Sequence, residues 1–571
     1  MFRYAKMFKQ TSQSAPIPGS KQEKNSAGGY SFKADDWTRL DRFLILGTEK
    51  GSYYANEHTL TVDNAGVVLR CIEDDGLRTV ERIRSISLAG RAPKNDPAIF
   101  ALAMCLKAGE LETRRAAAAA VPDVCRIGTH IFQLADAINA LGGWGRLTTK
   151  AVAGYYQAKS AERLALDLFK YKSRGGWSHK DLLLKAHVGK YDQDVEHQAL
   201  FRHVVAGDEK KVRKVRRTDK DGRVRSEGVY ASVADVKLPR LVEGVRLAQE
   251  ARRPKQSAKL IREYGLPREV IQTEHLNDVK VWEALLMSNK GMPMTAMLRN
   301  LGKMQSIGLL DPLSDASKYV VNKLGDVEAL KRARVHPMSV LMAQRTYAQG
   351  HGVKGKLSWK ANAAITSALE NAFYASFDAV EPTGKNWLLA LDVSGSMSAR
   401  IAGTSISAAE ASAAMSLVTM YAEKWTHTMC FASGGDAITG GKSNYGWGTA
   451  IRDLKFVKGM TLQQAMSTAS KHNFGGTDCA LPMIAAMKRK LPVDVFVVYT
   501  DSETWAGNIH PVQVLREYRQ KMGRDAKLVV MGMCSNGFTI ADPDDAGMLD
   551  VVGFDTATPQ ILADFARGAL K

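Results

Sequence analysis

Apolar positions fall into two textures along the chain. From about Ala34 to Asp378 they recur at helical spacing: Ile131, Leu134, Ile138 and Leu141 stand at i, i+3, i+7 and i+10, one face of a helix. The alanine-rich stretch from Arg115 to Val121, the segment Ala151 to Tyr171 and the segment Val281 to Met287 read the same way. Gly142-Gly143, Gly175-Gly176, Pro293 and Pro337 fall between such pieces and mark turns between helices of moderate length. No fixed-period repeat is visible, but many short amphipathic helices in succession suit an α-solenoid, in which neighbouring helices bury each other's apolar faces.

Near Pro382-Thr383-Gly384 the texture changes. Short apolar runs now appear at Trp387 to Leu391, Met429 to Ala432, Val495 to Tyr499, Leu528 to Met531 and Val551 to Phe554. Helical stretches such as Ala408 to Glu423 and Leu481 to Lys490 lie between them. Short buried strands alternating with helices predict a mostly parallel sheet covered on both faces. The expected organisation is a flexible segment over 1–30, a helical-repeat domain over 31–378 and an α/β domain over 379–571.

Composition bounds the classes. A hydrophobic content of 45% over 571 residues is that of a globular chain rather than a disordered one. The six cysteines, at 71, 105, 125, 430, 479 and 534, form no C-x-x-C pair. That argues against a zinc ribbon or disulfide framework and for reduced thiols in a cytoplasmic setting. No apolar run approaches the roughly 18 residues of a membrane span, and the start lacks the apolar core of a secretion signal. The net charge of +20 is unevenly placed: residues 1–360 hold 61 basic and 39 acidic groups, residues 361–571 hold 18 and 20. All the excess positive charge therefore belongs to the helical part, which favours a polyanion partner, most often nucleic acid.

Two constellations carry chemistry. The first expected strand of the α/β part runs into Asp392-Val-Ser394-Gly-Ser396, and Gly475-Gly476-Thr477-Asp478 and Tyr499-Thr500-Asp501-Ser502 follow later. Strand carboxyl ends are where such sheets bind ligands. Asp392, Ser394, Ser396, Thr477 and Asp501 all offer hard oxygens, which favours Mg²⁺, Mn²⁺ or another divalent cation over zinc. The pattern D-x-S-x-S…T…D resembles the metal-ion-dependent adhesion site of von Willebrand factor A domains. Ser394 has no identifiable His partner, and D-V-S-G-S is not the G-x-S-x-G of a hydrolase. Asp478 and Glu503 read as supporting loop residues, so no second metal or general base for a nuclease is in view.

The second constellation is basic and aromatic. In Lys170-Tyr-Lys172-Ser-Arg174-Gly-Gly-Trp177-Ser178-His179-Lys180-Asp181, Ser178 and Asp181 form a capping box that starts a helix. Its free N–H groups, with Arg174, His179 and Lys180 beside them, suggest a phosphate site. In the run from Met292 to Met304, Met294, Met297, Leu301 and Met304 share a core face, while Arg299 and Lys303 lie elsewhere and are RNA-contact candidates. The segment Lys210 to Arg225 carries nine cations and two acids. Its Lys210, Lys211, Arg213, Lys214, Arg216 and Arg217 suit sequence-independent backbone binding; a solvated insertion is the plain alternative.

At these residues the chain resembles the Ro ribonucleoprotein autoantigens, the TROVE-domain proteins. The matching motifs include Phe43 to Tyr54, Ala92 to Phe100, Cys125 to His130, Gly176 to Leu182, Val281 to Leu285, Met292 to Met304, Arg334 to Pro337 and Leu391 to Met397. The insertion over 208–228 points to a bacterial or phage-borne member. The resemblance implies a mostly α ring of HEAT-like helical repeats closed by an α/β von Willebrand factor A domain. It implies a monomeric ring that binds a noncoding Y-like RNA outside and takes single-stranded 3′ ends of misfolded RNAs through its hole. It also implies a scaffold role without catalysis, and for bacterial members a polynucleotide phosphorylase tethered through the RNA. On that reading Lys170, Lys172, Arg174, His179, Lys180 and His187 contribute to RNA binding. A protein-adhesion adaptor acting through the A domain alone is the alternative.

Overall fold

The computed structural model describes residues 10–48, 57–191, 194–206, 238–289, 291–333, 335–352, 356–377, 381–401, 406–432, 451–457, 459–470, 476–553, 555 and 557–569. These form two compact units, one of Met1–Ala101 with Pro293–Lys571 and one of Leu102–Met292. In chain order the strands are β1 (Gln22–Lys24), β2 (Tyr30–Lys33), β3 (Ser173–Arg174), β4 (Trp177–Ser178), β5 (Asn386–Asp392) and β6 (Trp425–Phe431). β7 (Ile451–Asp453), β8 (Val495–Thr500), β9 (Lys527–Gly532), β10 (Phe538–Thr539) and β11 (Met548–Val552) complete the set.

The first unit holds the expected α/β domain. Its six-stranded sheet has the order β11-β9-β8-β5-β6-β7, parallel except where β7 pairs antiparallel with β6. The chain leaves β5 for β6 on one side and later returns to β8 on the other. The carboxyl ends of β5 and β8 therefore flank the switch in strand order, the place where open α/β sheets bind ligands. β5 and β8 are buried almost throughout, which is why they read as continuous apolar runs rather than alternating ones. The helices Ala408–Ala422 and Leu481–Lys488 lie close to their expected bounds. Ser407 and Glu410 close a capping box at the start of the former.

Within the segment expected to be flexible, residues 10–30 include β1 and the start of β2. β1 and β2 form a small antiparallel sheet with β10, and Phe32 packs in the core of the α/β domain. The compact units also divide the chain differently from 31–378 and 379–571, because both ends of the helical part pack on the α/β domain. Arg42, in the helix Asp36–Leu46, is fully buried and donates to the carbonyls of Asn536 and Phe538 and, at 2.6 Å, to Asp550 Oδ2. From the other end, Arg345 pairs with Glu410 at 2.6 Å, and Glu370 accepts from the Leu462 amide at 2.8 Å.

The second unit is helical. The stretch Ala151 to Tyr171 is two helices, Arg146–Gln157 and Ala161–Lys170, because Ser160 caps a new start by accepting from the Arg163 amide. Gly175-Gly176 is the turn of a two-residue hairpin joining β3 and β4, with φ of 58° and 80°. Two successive positive φ values are what such a tight hairpin requires, and glycine meets them without strain.

Candidate functional site

The oxygen-rich cluster is built from the ends of β5 and β8 and the loop at Thr477. Ser394 N donates to Asp392 Oδ1 at 2.9 Å, and Thr500 Oγ1 donates to Asp392 Oδ2 at 2.7 Å. The Ser394 and Ser396 hydroxyls lie 3.0 Å apart, and Ser396 stands beside Asp501 and favours its ionised form. Asp392, Ser394, Ser396, Thr477 and Asp501 are all buried. Burial first, and then the facing Asp501, push Asp392 up to about 7; burial likewise raises Asp501. Thr477 Oγ1 is buried and has no hydrogen-bond partner.

Two carboxylates that resist sharing negative charge, two serine hydroxyls and an orphaned threonine oxygen form a donor set that fits a hard divalent cation. Among the described residues no group of three or more His, Cys, Asp or Glu is arranged to hold a metal. Asp478 and Glu503 stand behind the cluster with partners of their own. Asp478 Oδ1 accepts from Gln13 Nε2 at 2.7 Å and from the Ala480 amide at 3.0 Å. Glu503 accepts from Asn536 Nδ2 at 3.0 Å and the Ala27 amide at 3.3 Å. Burial raises Asp478 to about 6, and burial with the neighbouring Asp501 raises Glu503 to about 7. The contribution of Gln13 and Ala27 escaped the sequence reading, because nothing local in that segment signals a partner hundreds of residues away.

The basic constellation in the second unit is partly as expected. Lys172, Arg174, Lys180 and His187 are exposed, and Lys185 and Lys190 join them. Lys170 is half-buried, its ammonium 5.3 Å from the Tyr171 ring centre. His179 is a correction. It is 2% exposed, packed 4.7 Å from Phe132 and paired at 3.0 Å with the Tyr156 hydroxyl, and burial lowers it to about 4. A neutral, buried imidazole offers no charge to a phosphate; it anchors the start of its helix instead.

The expected anion site at that helix start also weakens. The helix His179–Lys185 is seven residues long, Ser178 Oγ takes the Asp181 amide, and the Asp181 carboxylate stands where an anion would sit. In the first unit Met294, Met297, Leu301 and Met304 are buried as predicted; Arg299 is exposed and Lys303 half-buried. Lys210, Lys211, Arg213, Lys214, Arg216 and Arg217 lie outside the described residues.

The model of the TROVE domain matches residues 23–346, and that of the Ro60 vWA domain matches residues 386–566. The chain belongs to the Ro60 family of TROVE-domain proteins. It is 40% identical to "RNA-binding protein RO60" of Deinococcus radiodurans over 96% of each chain. It is 36% identical to the Caenorhabditis elegans protein of the same name, over 96% of this chain and 90% of that one. The crystal structure of the Deinococcus radiodurans Ro (RSR) protein aligns with a TM-score of 0.64 at 38% identity, covering 94% of this chain and all of that one. A helical domain joined to an α/β A domain is thus the family architecture. No helix among the described residues is long and apolar enough to cross a membrane.

Proposed function

We propose that this chain is a non-enzymatic RNA-binding scaffold of the cytoplasm. One observation carries the reading: Lys172, Arg174, Lys180, Lys185, His187 and Lys190 are all exposed around one short hairpin and helix. Close-set cations of this kind neutralise phosphates without reading sequence, so affinity falls steeply with salt. A small noncoding Y-like RNA is the proposed ligand of that surface. Lys170, Arg299, Lys303 and the basic segment from Lys210 to Arg217 are further proposed contacts. Single-stranded 3′ ends of misfolded RNAs are proposed to pass through a closed monomeric ring. The packing of both ends of the helical part on the A domain supports closure.

The cluster at Asp392 supports a second task for the A domain. Asp392, Ser394, Ser396, Thr477 and Asp501 would hold Mg²⁺ or a similar cation. Two carboxylates formally balance a divalent ion, and the neutral hydroxyls beside them leave it able to accept a carboxylate oxygen from a protein partner. Polynucleotide phosphorylase, tethered through the bound RNA, is the proposed nuclease partner.

The test is filter binding of a structured RNA with and without a 3′ single-stranded tail, across a KCl series with Mg²⁺ present. Tight, salt-dependent binding with a preference for the tailed RNA is expected. No binding to either RNA at low salt would reject the RNA reading. Equal binding of both would reject end-threading alone, and shortening of the RNA would reject the scaffold role.

A further inference from the structure

Trp144 and Trp177 lie on different segments, 33 residues apart, yet their ring centres are 5.8 Å from each other at an interplanar angle of 49°. Both are half-buried rather than buried. The Lys185 ammonium stands 5.5 Å from the Trp144 ring and 6.0 Å from the Trp177 ring. Arg174 is the cross-strand partner of Trp177 in the hairpin, so the two side chains share a face. Arg146 and Lys150, on the helix that follows Trp144, are exposed. The Trp144 indole N–H is buried without a hydrogen-bond partner, which a core tryptophan rarely tolerates.

The space around this pair is open. A Cβ placed on Gly142, Gly143, Gly145, Gly175 or Gly176, the glycines beside the two tryptophans, meets no atom within 4 Å. Large aromatic faces kept partly in water, ringed by cations and flanked by side-chain-free backbone, match what an unpaired nucleobase needs. The ring offers a π-face to stack on, the glycines let the sugar–phosphate chain approach, and Lys185 and Arg174 lie within reach of its phosphates. A duplex hides its base faces and could use only the cations.

We infer that Trp144 and Trp177 form a stacking platform for an unpaired nucleobase of the bound RNA. The inference rests on the RNA-binding reading above and adds a ligand feature to it: single-stranded loop or bulge nucleotides beside a phosphate track.

The experiment compares a hairpin RNA carrying an unpaired internal loop with the same stem fully paired, by fluorescence anisotropy across a KCl series. Trp177→Ala and Trp144→Ala are expected to weaken binding of the looped RNA by roughly tenfold, with little change for the paired stem. Their salt slopes should match the wild type, because every cation that meets a phosphate is kept. Trp177→Phe should restore most of the affinity, which a ring supplies and alanine cannot. A 2-aminopurine placed in the loop should be quenched by wild-type protein and not by Trp177→Ala. Wild-type affinity in both alanine variants, or equal losses for looped and paired RNA, would overturn the platform while leaving RNA binding intact. Failure of the wild type to bind either RNA would overturn the RNA reading itself.

Discussion

Gln13 Nε2 donates to Asp478 Oδ1 at 2.7 Å, tying the N-terminal segment to the loop that carries Thr477. The same amide nitrogen donates to the Ile509 carbonyl at 2.9 Å, and Gln13 Oε1 accepts from the Gly507 amide at 3.2 Å and from the Thr504 hydroxyl. Gln13 has no exposed surface. One side chain thus satisfies buried polar groups on two loops beside the oxygen-rich cluster.

Gln13→Ala removes one partner from each of those groups; Asp478 Oδ1 keeps the Ala480 amide and Thr504 Oγ1 the Cys479 amide, and each buried group left with none costs about 1–3 kcal/mol. Urea denaturation followed through the A domain should show a lower midpoint. An unchanged midpoint would mean that water replaces the amide at no cost.

Arg42 is more exacting, because it is a buried charge. Arg42→Met strands Asp550 and the carbonyls of Asn536 and Phe538. Breaking one half of a buried pair costs about 3–5 kcal/mol. Differential scanning calorimetry should show a strongly lowered transition, with partial recovery when Asp550→Leu is added so that neither charge remains buried alone.

Cation binding should be measurable without any partner. Mg²⁺ at a hundredfold excess over its Kd adds about 2.7 kcal/mol to a state that alone binds it. The A-domain melting temperature should rise with Mg²⁺ and return with EDTA, and Asp392→Asn should abolish the response. A rise of the same size in that variant would place the cation elsewhere.

His179 makes the second unit sensitive to acid. Its folded value is lowered from 6.5 to about 4 by burial, so the folded state resists the proton that the unfolded chain accepts. Its contribution is complete above about pH 6.5 and is lost as pH falls toward 4, a loss on the order of 3 kcal/mol. His179→Gln should flatten stability against pH in that window when unfolding is followed at several pH values. An unaltered slope would show that other groups carry the acid sensitivity.

The exposed cations should act through phosphates alone. Lys172→Ala, Arg174→Ala and Lys180→Ala should each weaken RNA binding for every sequence tested and reduce the salt slope by roughly 0.7–0.9 for each phosphate no longer neutralised. His179→Gln, by contrast, should leave the slope unchanged. A variant that changes sequence preference but not slope would mean that the side chain reads a base instead.

Much of the α/β domain is legible because its central strands are buried on both faces and the helix Ala408–Ala422 carries its own capping box. The runs at Trp387 to Leu391 and Val495 to Tyr499 are continuous apolar stretches that only a covered sheet explains, and β5 and β8 occupy them. The Ser178–Asp181 capping box was equally local and is present. Gly175-Gly176 forms a hairpin rather than a turn between helices, because two glycines between Arg174 and Trp177 suit a two-residue turn as well as a helix break. His179, in a basic run, reads as exposed; Phe132 and Tyr156, brought in from other helices, bury it.

By itself, then, the sequence determined the two textures, the family motifs, the location of the excess charge and the carboxylate and hydroxyl oxygens that follow the strands. All of these are set by spacing along the chain or by residue chemistry. Only the tertiary structure decided that Gln13 supports Asp478, that Trp144 meets Trp177, and that His179 is an anchor rather than a contact. Those outcomes depend on which distant surfaces exclude water together, and no local periodicity records that.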